Sequence, residues 1–441
     1  MLLTRLRSDI EGKRVLLLGF GREGRALCRR ILQVGGFSAL GIADANPVSD
    51  TPEQARLHIG ADYQDAMREY EIVYKSPGIV LTDGHKPEQL DCRVTSLTEL
   101  FLSAYRDRCI GITGTKGKST TSSLLYHVLQ TAGVPSVLGG NIGIPTADLY
   151  DSITPETVIV LEIGVHQLEY NHVSPKTAVF LNLYEEHLDH YGTFEYYAYC
   201  KENIYRNQQA GDLLICGQEG LPEPGDCRAQ VMRLRMDDPE ADVTLLHGDT
   251  VCFQGQTLRL PDDMALTGVH NRYNCAAVYA LAKRLGVSDQ DFLRGVRDFH
   301  PLPHRLSPVG TYHGIRWYDD SISTACETCI QALNSLPDTD TVLIGGMDRG
   351  ISYQPLLDYL VLSPVRHIIL MSDSGKRIYK EAPDALLPRL SYAADLPAAV
   401  KLAKQLTEKG KICLLSPAAA SYNVYQNFEK RGEHFQQLAK E

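Results

Sequence analysis

The 441-residue sequence predicts an α/β protein built from three successive open sheets, and three observations carry that expectation. An unbroken apolar strand, Arg14 to Leu18, runs into Gly19, Gly21 and Gly24 and then into a helix from Arg22 to Leu32. A second strand, Cys109 to Thr113, runs into Gly114-Thr115-Lys116-Gly117-Lys118-Ser119-Thr120 and a helix over Thr121 to Gln130. From Pro303 onwards strands and helices alternate again, with strands at Thr341 to Leu343, His367 to Met371 and Lys411 to Leu415. At roughly 150 residues per domain the length divides into three parts. The expected parts are a Rossmann-like domain over residues 1–99, a central P-loop α/β domain over 100–302 and a C-terminal open α/β, Rossmann-like domain over 303–441.

Composition sets outer limits. With 44% hydrophobic and 22% charged residues the chain sits near the average of soluble folds, which excludes a disordered or fibrous protein. The balance of 44 Lys and Arg against 54 Asp and Glu gives a formal charge of −10, so the overall field repels polyanions and any phosphate must be held by local donors. A nucleic-acid partner is not expected. Eleven cysteines, an odd number with no secretory leader ahead of them, point to free thiols in a reducing, cytoplasmic setting. Cys326 and Cys329 form one CxxC without a second pair, which reads as two thiols packed on a helix and not as a zinc site. No uncharged apolar run is long enough to span a bilayer, so membrane insertion is not expected.

In the first segment, glycine lets the backbone approach a pyrophosphate, and the helix start supplies unpaired N–H groups. A short second strand ends at Asp44, about 20 positions beyond the glycines, as in dinucleotide-binding turns. The same glycines also describe a tight turn that holds nothing. Strand Glu71 to Tyr74 then delivers Lys75-Ser76-Pro77-Gly78 to a strand's C-terminal edge, where open α/β sheets bind ligands.

The second segment carries the pattern GxxGxxGKS from Gly111, one residue longer between Gly111 and Gly117 than the ordinary P-loop spacing. Its backbone N–H groups would wrap a triphosphate, Lys118 would reach the β and γ oxygens, and Ser119 would face Mg²⁺. Strand Thr157 to Leu161 delivers Glu162, and strand Thr177 to Leu181 delivers Asn182 and YEEHLDHYGTFEYYAYCKENIY. Carboxylates and imidazoles at the ends of adjacent buried strands suit a hard cation, Glu162 and His187 most of all. His190 reads equally well as a surface residue, and Tyr191, Phe194, Tyr196, Tyr197 and Tyr199 as packing material. Short alternating strands between Gly211 and Pro261 suggest a small sheet flanking the P-loop core. Asn271 precedes a helix over Arg272 to Leu285 and is either its cap or a ligand contact. A helix near Cys326 to Leu333 and an amphipathic C-terminal helix complete the last segment.

An ordered set of signals resembles the Mur ligase family over nearly the full length. They are Ser76-Pro77-Gly78, GTKGKST at 114–120, GGNIG at 139–143, Glu162 with Gln167-Leu168-Glu169, LNLYEEHLDHY at 181–191 with Lys201, GVHNRYN at 268–274, PHR at 303–305, DDSISTACET at 319–328 and SPAAASYNVYQNFEKRG at 416–432. The resemblance is greatest to the members that add glutamate to UDP-N-acetylmuramoyl-L-alanine. It implies an ATP-dependent amide ligase of cytoplasmic peptidoglycan synthesis, monomeric, working through an acyl phosphate with two Mg²⁺ ions. It places Phe20, Gly21, Arg22, Asp44 and Ser76 on the uridine side, with Asn141 and Gln167 also on the UDP-sugar. Gly114, Thr115, Lys116, Gly117, Lys118, Ser119 and Thr120 would hold ATP, with Asn271 on the adenine and Arg305 and Asp320 nearby. Ser119, Glu162 and His187 would hold metal together with Lys201, which the resemblance implies is carbamylated (N6-carboxylysine), and Lys118, Glu162, His187 and Lys201 would form the catalytic group. Thr324, Arg349, Ser421, Tyr422 and Phe428 would hold glutamate.

The glutamate end departs from the family pattern. Ile322 stands where a lysine is expected, Arg349 where another lysine would grip a carboxylate, and Tyr422 where leucine is usual. Lys116 adds charge beside the phosphates in place of asparagine, and His166 replaces phenylalanine. D-Glutamate is the expected amino acid, with an L-glutamate-adding variant as the alternative and a non-catalytic UDP-sugar or nucleotide sensor as a remote one. A ligase acting on lipid-linked substrate would carry a four-cysteine zinc insertion, and a folylpolyglutamate-type ligase would lack the N-terminal UDP domain.

Overall fold

The computed structural model describes every residue except 143, 224, 267, 301–302, 325 and 349–350, and the main chain alone at 188, 189, 327 and 331. Its contacts divide the chain into two units, Met1–Phe299 and His300–Glu441. Three sheets, each largely parallel, carry the α/β class that the sequence predicts, two of them in the first unit.

The first sheet comprises β1 (Arg14–Leu18), β2 (Ala39–Asp44), β3 (Ala55–Ile59), β4 (Ile72–Lys75) and β5 (Arg93–Thr95), in the order β3-β2-β1-β4-β5 and parallel throughout. Val15 to Leu18 are buried, as an apolar run covered on both faces requires. The strand order reverses at β1, so the crevice beyond the ends of β1 and β4 is the switch point at which such sheets take ligands. Helix Arg22–Val34 buries Ala26, Leu27, Cys28 and Ile31. Gly24 lets this helix start close against the turn, because a Cβ there would lie 2.2 Å from the carbonyl oxygen of Gly19.

The second sheet comprises β6 (Cys109–Thr113), β7 (Ser136–Gly140), β8 (Val158–Glu162), β9 (Thr177–Phe180), β10 (Leu213–Cys216), β11 (Gln230–Met236), β12 (Val243–Leu246), β13 (Thr250–Phe253) and β14 (Gln256–Arg259). Its order is β14-β13-β12-β11-β10-β9-β6-β8-β7. The alternating strands after Gly211, expected as a small sheet flanking the P-loop core, are joined to that core through β11, which pairs with β10 over Gln230 to Arg233 and with β12 over Leu234 to Met236. β10 and β11 pair in parallel, as do β11 and β12, and the antiparallel pairs β12-β13 and β13-β14 only extend the same sheet. The alternation is real, because this end is half-covered: helix Val269–Arg284 packs on β12 and β13, and β13 buries every second residue. Helix Lys118–Thr131 begins three residues earlier than expected, which puts Lys118, Ser119 and Thr120 inside its first turn.

The second unit carries β15 (Ser307–Tyr312), β16 (Ile315–Asp319), β17 (Thr339–Gly345), β18 (His367–Met371), β19 (Leu390–Ala393) and β20 (Ile412–Leu415), ordered β15-β16-β20-β17-β18-β19. Only the β15-β16 pair is antiparallel. Cys326 and Cys329 are buried thiols outside any disulfide on helix Cys326–Ser335, packed as the lone CxxC suggested. Among the described residues no helix is long and apolar enough to cross a membrane.

Candidate functional site

At the switch point of the first sheet the chain ties its own loops together. Gly19 leaves β1 with φ +94°, and Ser76 Oγ donates to its carbonyl oxygen at 3.0 Å. The Phe20 N–H donates to Asp44 Oδ2 at 2.9 Å, and the Asn46 N–H donates to Asp44 Oδ1 at 3.0 Å. Phe20, Gly21, Arg22, Asp44 and Ser76 thus gather at the ends of three adjacent strands, with Gly21 and Arg22 exposed at the helix start. Both oxygens of Asp44 are engaged by the loops, so its role in this arrangement is to shape the turn.

In the second sheet, the loop after β6 folds as a cradle. Gly117 is the N-cap of helix Lys118–Thr131 with φ +84°, a conformation only glycine adopts without strain. The Thr115 and Lys116 N–H groups donate to Asn182, to its carbonyl oxygen at 2.9 Å and to Oδ1 at 2.8 Å, so Asn182 at the end of β9 fixes the loop. The main-chain N–H groups of a first helical turn have no acceptor within the helix itself, which suits this turn to an anion. Lys118 Nζ donates to the carbonyl oxygens of Gly114 and Thr115, both at 2.9 Å, and Lys116 pairs with Glu186.

Helix Phe194–Arg206 brings Lys201 beneath this loop, where it is 1% exposed and Nζ donates to the Gly114 carbonyl oxygen at 3.0 Å. Burial, followed by the positive charge of Lys118, holds its amine well below the usual lysine range and favours the neutral base. Glu162 ends β8 and is 1% exposed. Its Oε1 accepts from Asn141 Nδ2 at 2.7 Å, while Oε2 is inaccessible and has no partner among the described residues. An unpaired buried carboxylate oxygen is costly, which marks Glu162 as a group waiting for a cation. His187 adopts φ +57° and leaves its side chain half-exposed, edge-on to His166 and 4.0 Å from Glu186. Among the described residues no three His, Cys, Asp or Glu side chains stand close enough to hold a metal by themselves. Asn271 lies in the first turn of helix Val269–Arg284, whose N-cap is Gly268, so it is not the cap.

Sequence reasoning passed over a buried charged cluster beside this cradle. Lys75 Nζ and His190 Nε2 both contact Glu169 Oε2 at 3.2 Å, with all three side chains at most 8% exposed. His190 is therefore a core residue and not the surface histidine that was equally expected. Burial lowers the Lys75 pKa, and burial together with His187 and His190 pushes His166 down to about 3. His166 stacks on Tyr191 and hydrogen-bonds its hydroxyl at 2.8 Å. Tyr191 and Tyr197 are packed inside as expected, whereas Tyr196 and Tyr199 stack on each other at the surface. Gln167 is held within the chain: Oε1 accepts the Gly164 N–H at 3.0 Å and Nε2 donates to Glu23 Oε1 at 2.8 Å.

In the second unit, Asp320 is buried at the end of β16. It accepts from the Leu306 N–H, Ser323 Oγ and Ser416 Oγ, yet burial still pushes its carboxyl up to about 6. Arg305 has a buried Nε without a partner among the described residues. His304, at φ +65°, shares a 2.7 Å contact with the buried Asp319 and accounts for the fixed course of the chain into Arg305. Ser421 is buried and Tyr422 is 69% exposed. Phe428 opens helix Phe428–Lys440 edge-on to His304, and Thr324 is half-buried. Arg349 lies outside the described residues.

Comparison with known proteins gives consistent matches. Residues 112–282 match the family described as Mur ligase middle domain. A UDP-N-acetylmuramoylalanine--D-glutamate ligase of Streptococcus agalactiae is 30% identical, with 97% of each chain covered. The ligase of the same name from Symbiobacterium thermophilum is 31% identical, again with 97% of each chain covered. Among solved structures, MurF ligase from Thermotoga maritima in complex with ADP aligns with a TM-score of 0.58 at 17% identity, covering 99% of this chain and 98% of that one. UDP-N-acetylmuramate-alanine ligase from the same organism aligns at 0.58 and 18% identity, covering 96% and 98%. At such identities these structures speak for the fold.

Proposed function

Since this chain belongs to the Mur ligase family, we propose that it joins D-glutamate to UDP-N-acetylmuramoyl-L-alanine, consuming ATP through an acyl phosphate. The observation that carries this reading is the end-to-end match, 97% of both chains, to ligases of that printed name. Residues 1–99 would bind the UDP end, 100–302 ATP, and 303–441 glutamate, in the cytoplasm and as a monomer.

The chemistry follows from what the residues offer. A carboxylate is a poor electrophile, so an oxygen of the substrate's alanyl carboxylate attacks the γ-phosphorus of ATP and ADP leaves. The glutamate nitrogen then attacks the acyl carbon, phosphate departs with the transferred oxygen, and the amine proton passes to the departing phosphate. The loop N–H groups and Lys118 hold the transferring phosphoryl group and stabilise the charge that builds on it. Asn271, Arg305 and Asp320 serve ATP in this reading, and Thr324, Arg349, Ser421, Tyr422 and Phe428 the glutamate.

The residues also fit Mg²⁺. The unpaired oxygen of Glu162, the Ser119 hydroxyl at the start of the P-loop helix and the His187 ring would hold it, with phosphate oxygens and water completing a hard shell. When bound, one or two Mg²⁺ ions would neutralise charge on the transferring phosphoryl group. Lys201 suits carbamylation because its neutral amine can attack CO₂, forming the N–C bond and releasing a proton. The resulting anion would relieve its repulsion by Lys118 and Lys116, which the ammonium suffers.

Purified protein with ATP, Mg²⁺ and UDP-N-acetylmuramoyl-L-alanine, given D- or L-glutamate separately, tests this reading by phosphate release and product mass. Product with D-glutamate is expected. No turnover with either enantiomer contradicts the activity, and product with L-glutamate alone replaces the stereochemistry and makes Ile322 and Arg349 its candidate determinants.

A further inference from the structure

Glu23 is absent from the expected site, and the structure places it in the middle of one. It is the second residue of helix Arg22–Val34, between Gly21 and Gly24, yet its side chain turns inward to the second sheet, where Gln167 Nε2 donates to its Oε1 at 2.8 Å. Oε2 is inaccessible and has no partner among the described residues. The charged groups facing it are Arg22, on its own helix, and Lys75, at the end of β4. Burial raises its pKa against the opposing influence of both.

Gln167 links this carboxylate to the phosphoryl-transfer cradle. Its Oε1 accepts the Gly164 N–H, Gly164 packs on the Asn141 side chain, and Asn141 donates to Glu162. Glu23 therefore stands between the glycine turn and Glu162 along one chain of hydrogen bonds and contacts. Gln167 Nε2 donates to one Glu23 oxygen, so the carboxyl already serves as an acceptor, and the diphosphate of the proposed nucleotide substrate carries no donor for the other oxygen. The atoms able to satisfy Oε2 are the hydroxyl and amide N–H groups of the sugar-peptide part.

We propose that Glu23 selects the nucleotide substrate by accepting a hydrogen bond from a hydroxyl or amide N–H of its sugar-peptide portion, at the seam between the first and second sheets. This rests on the proposed function for the identity of the substrate. Gln167, assigned to the substrate on sequence grounds, then acts as the positioning residue that holds Glu23.

Calorimetric titration of the full-length protein with UDP and with UDP-N-acetylmuramoyl-L-alanine tests this, using wild type, Glu23→Ala and Glu23→Gln, with thermal unfolding of each. Glu23→Ala should bind the full substrate about tenfold or more weaker while UDP affinity stays within about threefold. Glu23→Gln keeps the oxygen that accepts from Gln167 Nε2 and puts an NH₂ donor where Oε2 stood. It should therefore lose affinity for the full substrate much as Glu23→Ala does while keeping its thermal stability, and full-substrate binding at wild-type strength in this variant overturns the proposal. Equal losses for UDP and the full substrate, or none for either, overturn the proposal. So does a fall in thermal stability that tracks the loss of affinity, which is what a plain structural tie would give. Wild type that binds the full substrate but forms no amide refutes the activity alone and leaves the Glu23 comparison decisive. Wild type that binds neither ligand overturns both.

Discussion

Lys118→Ala separates the chemistry of the P-loop from its stability. Lys118 is the first residue of its helix, and Nζ is strapped across the loop by two 2.9 Å hydrogen bonds to the Gly114 and Thr115 carbonyl oxygens. With a phosphoryl oxygen about 4 Å from that ammonium and an effective dielectric of about 20, the lost attraction is about 4 kcal/mol. That corresponds to about a thousandfold in kcat. The fold loses two charge-assisted hydrogen bonds at a part-buried site, a cost of about 3–6 kcal/mol. Removing a cation from a helix N-terminus returns about 0.3–1 kcal/mol, and the buried Lys201 amine is relieved of a repelling neighbour. The net destabilisation is about 2–5 kcal/mol. Phosphate release with all three substrates present, alongside urea unfolding, reads both quantities. Turnover within tenfold of wild type refutes the role given to Lys118, and a variant that does not fold refutes the stability argument.

Four further substitutions follow. Lys201→Met keeps the length of a side chain that is 1% exposed and removes an amine with one carbonyl partner. Thermal stability should hold or rise while turnover falls about a hundredfold or more, and ¹³C-bicarbonate should give a carbamate carbon signal in wild type only. Glu169→Ala leaves Lys75 and His190 buried and uncompensated, and should cost about 3–5 kcal/mol by urea unfolding. Glu11→Ala, at the exposed Arg7 pair, should by contrast stay within about 0.5 kcal/mol. The His304–Asp319 pair should make stability depend on pH. Hydrogen bonding to Asp319 raises His304 above its ordinary 6.5, so its contribution is full below 6.5 and fades as pH rises through the higher folded value. Asp319 is buried, yet bonds from His304, Ser321 and Gln436 carry it below its ordinary 3.8, so its contribution is present above 3.8 and fades as pH falls through the lower folded value. The stability gap between wild type and His304→Gln should therefore be widest from about pH 4 to 6.5 and narrow on either side.

What the sequence makes legible is what local chemistry dictates. The two glycine turns declare themselves because only glycine takes the φ of Gly19 and Gly117 and the close approach at Gly24. Lys118 and Ser119 stand out through fixed spacing after a buried strand, and Glu162 through its place at the end of another. The continuation of the second sheet through β11 to β14 is hidden, because alternation reports a half-covered face and not which strand lies alongside. Glu23, Lys75, Glu169 and His190 are hidden for a related reason. Each is an ionisable residue beside a turn or on a short helix, where solvent is the ordinary surrounding, and each is buried only because a segment distant in sequence closes over it. Tyr196 and Tyr199 err in the opposite direction, since aromatic residues at helical spacing suggest a core and these two face outward.

The central claim is that this chain activates a carboxylate as an acyl phosphate and then transfers it to the amino group of glutamate. The most direct test uses UDP-N-acetylmuramoyl-L-alanine labelled with ¹⁸O in its carboxylate, turned over with ATP, Mg²⁺ and D-glutamate. The phosphate released should carry one ¹⁸O from the substrate, and the amide product should retain the other. Phosphate free of label would mean that water and not the carboxylate attacks ATP, and the account would be wrong.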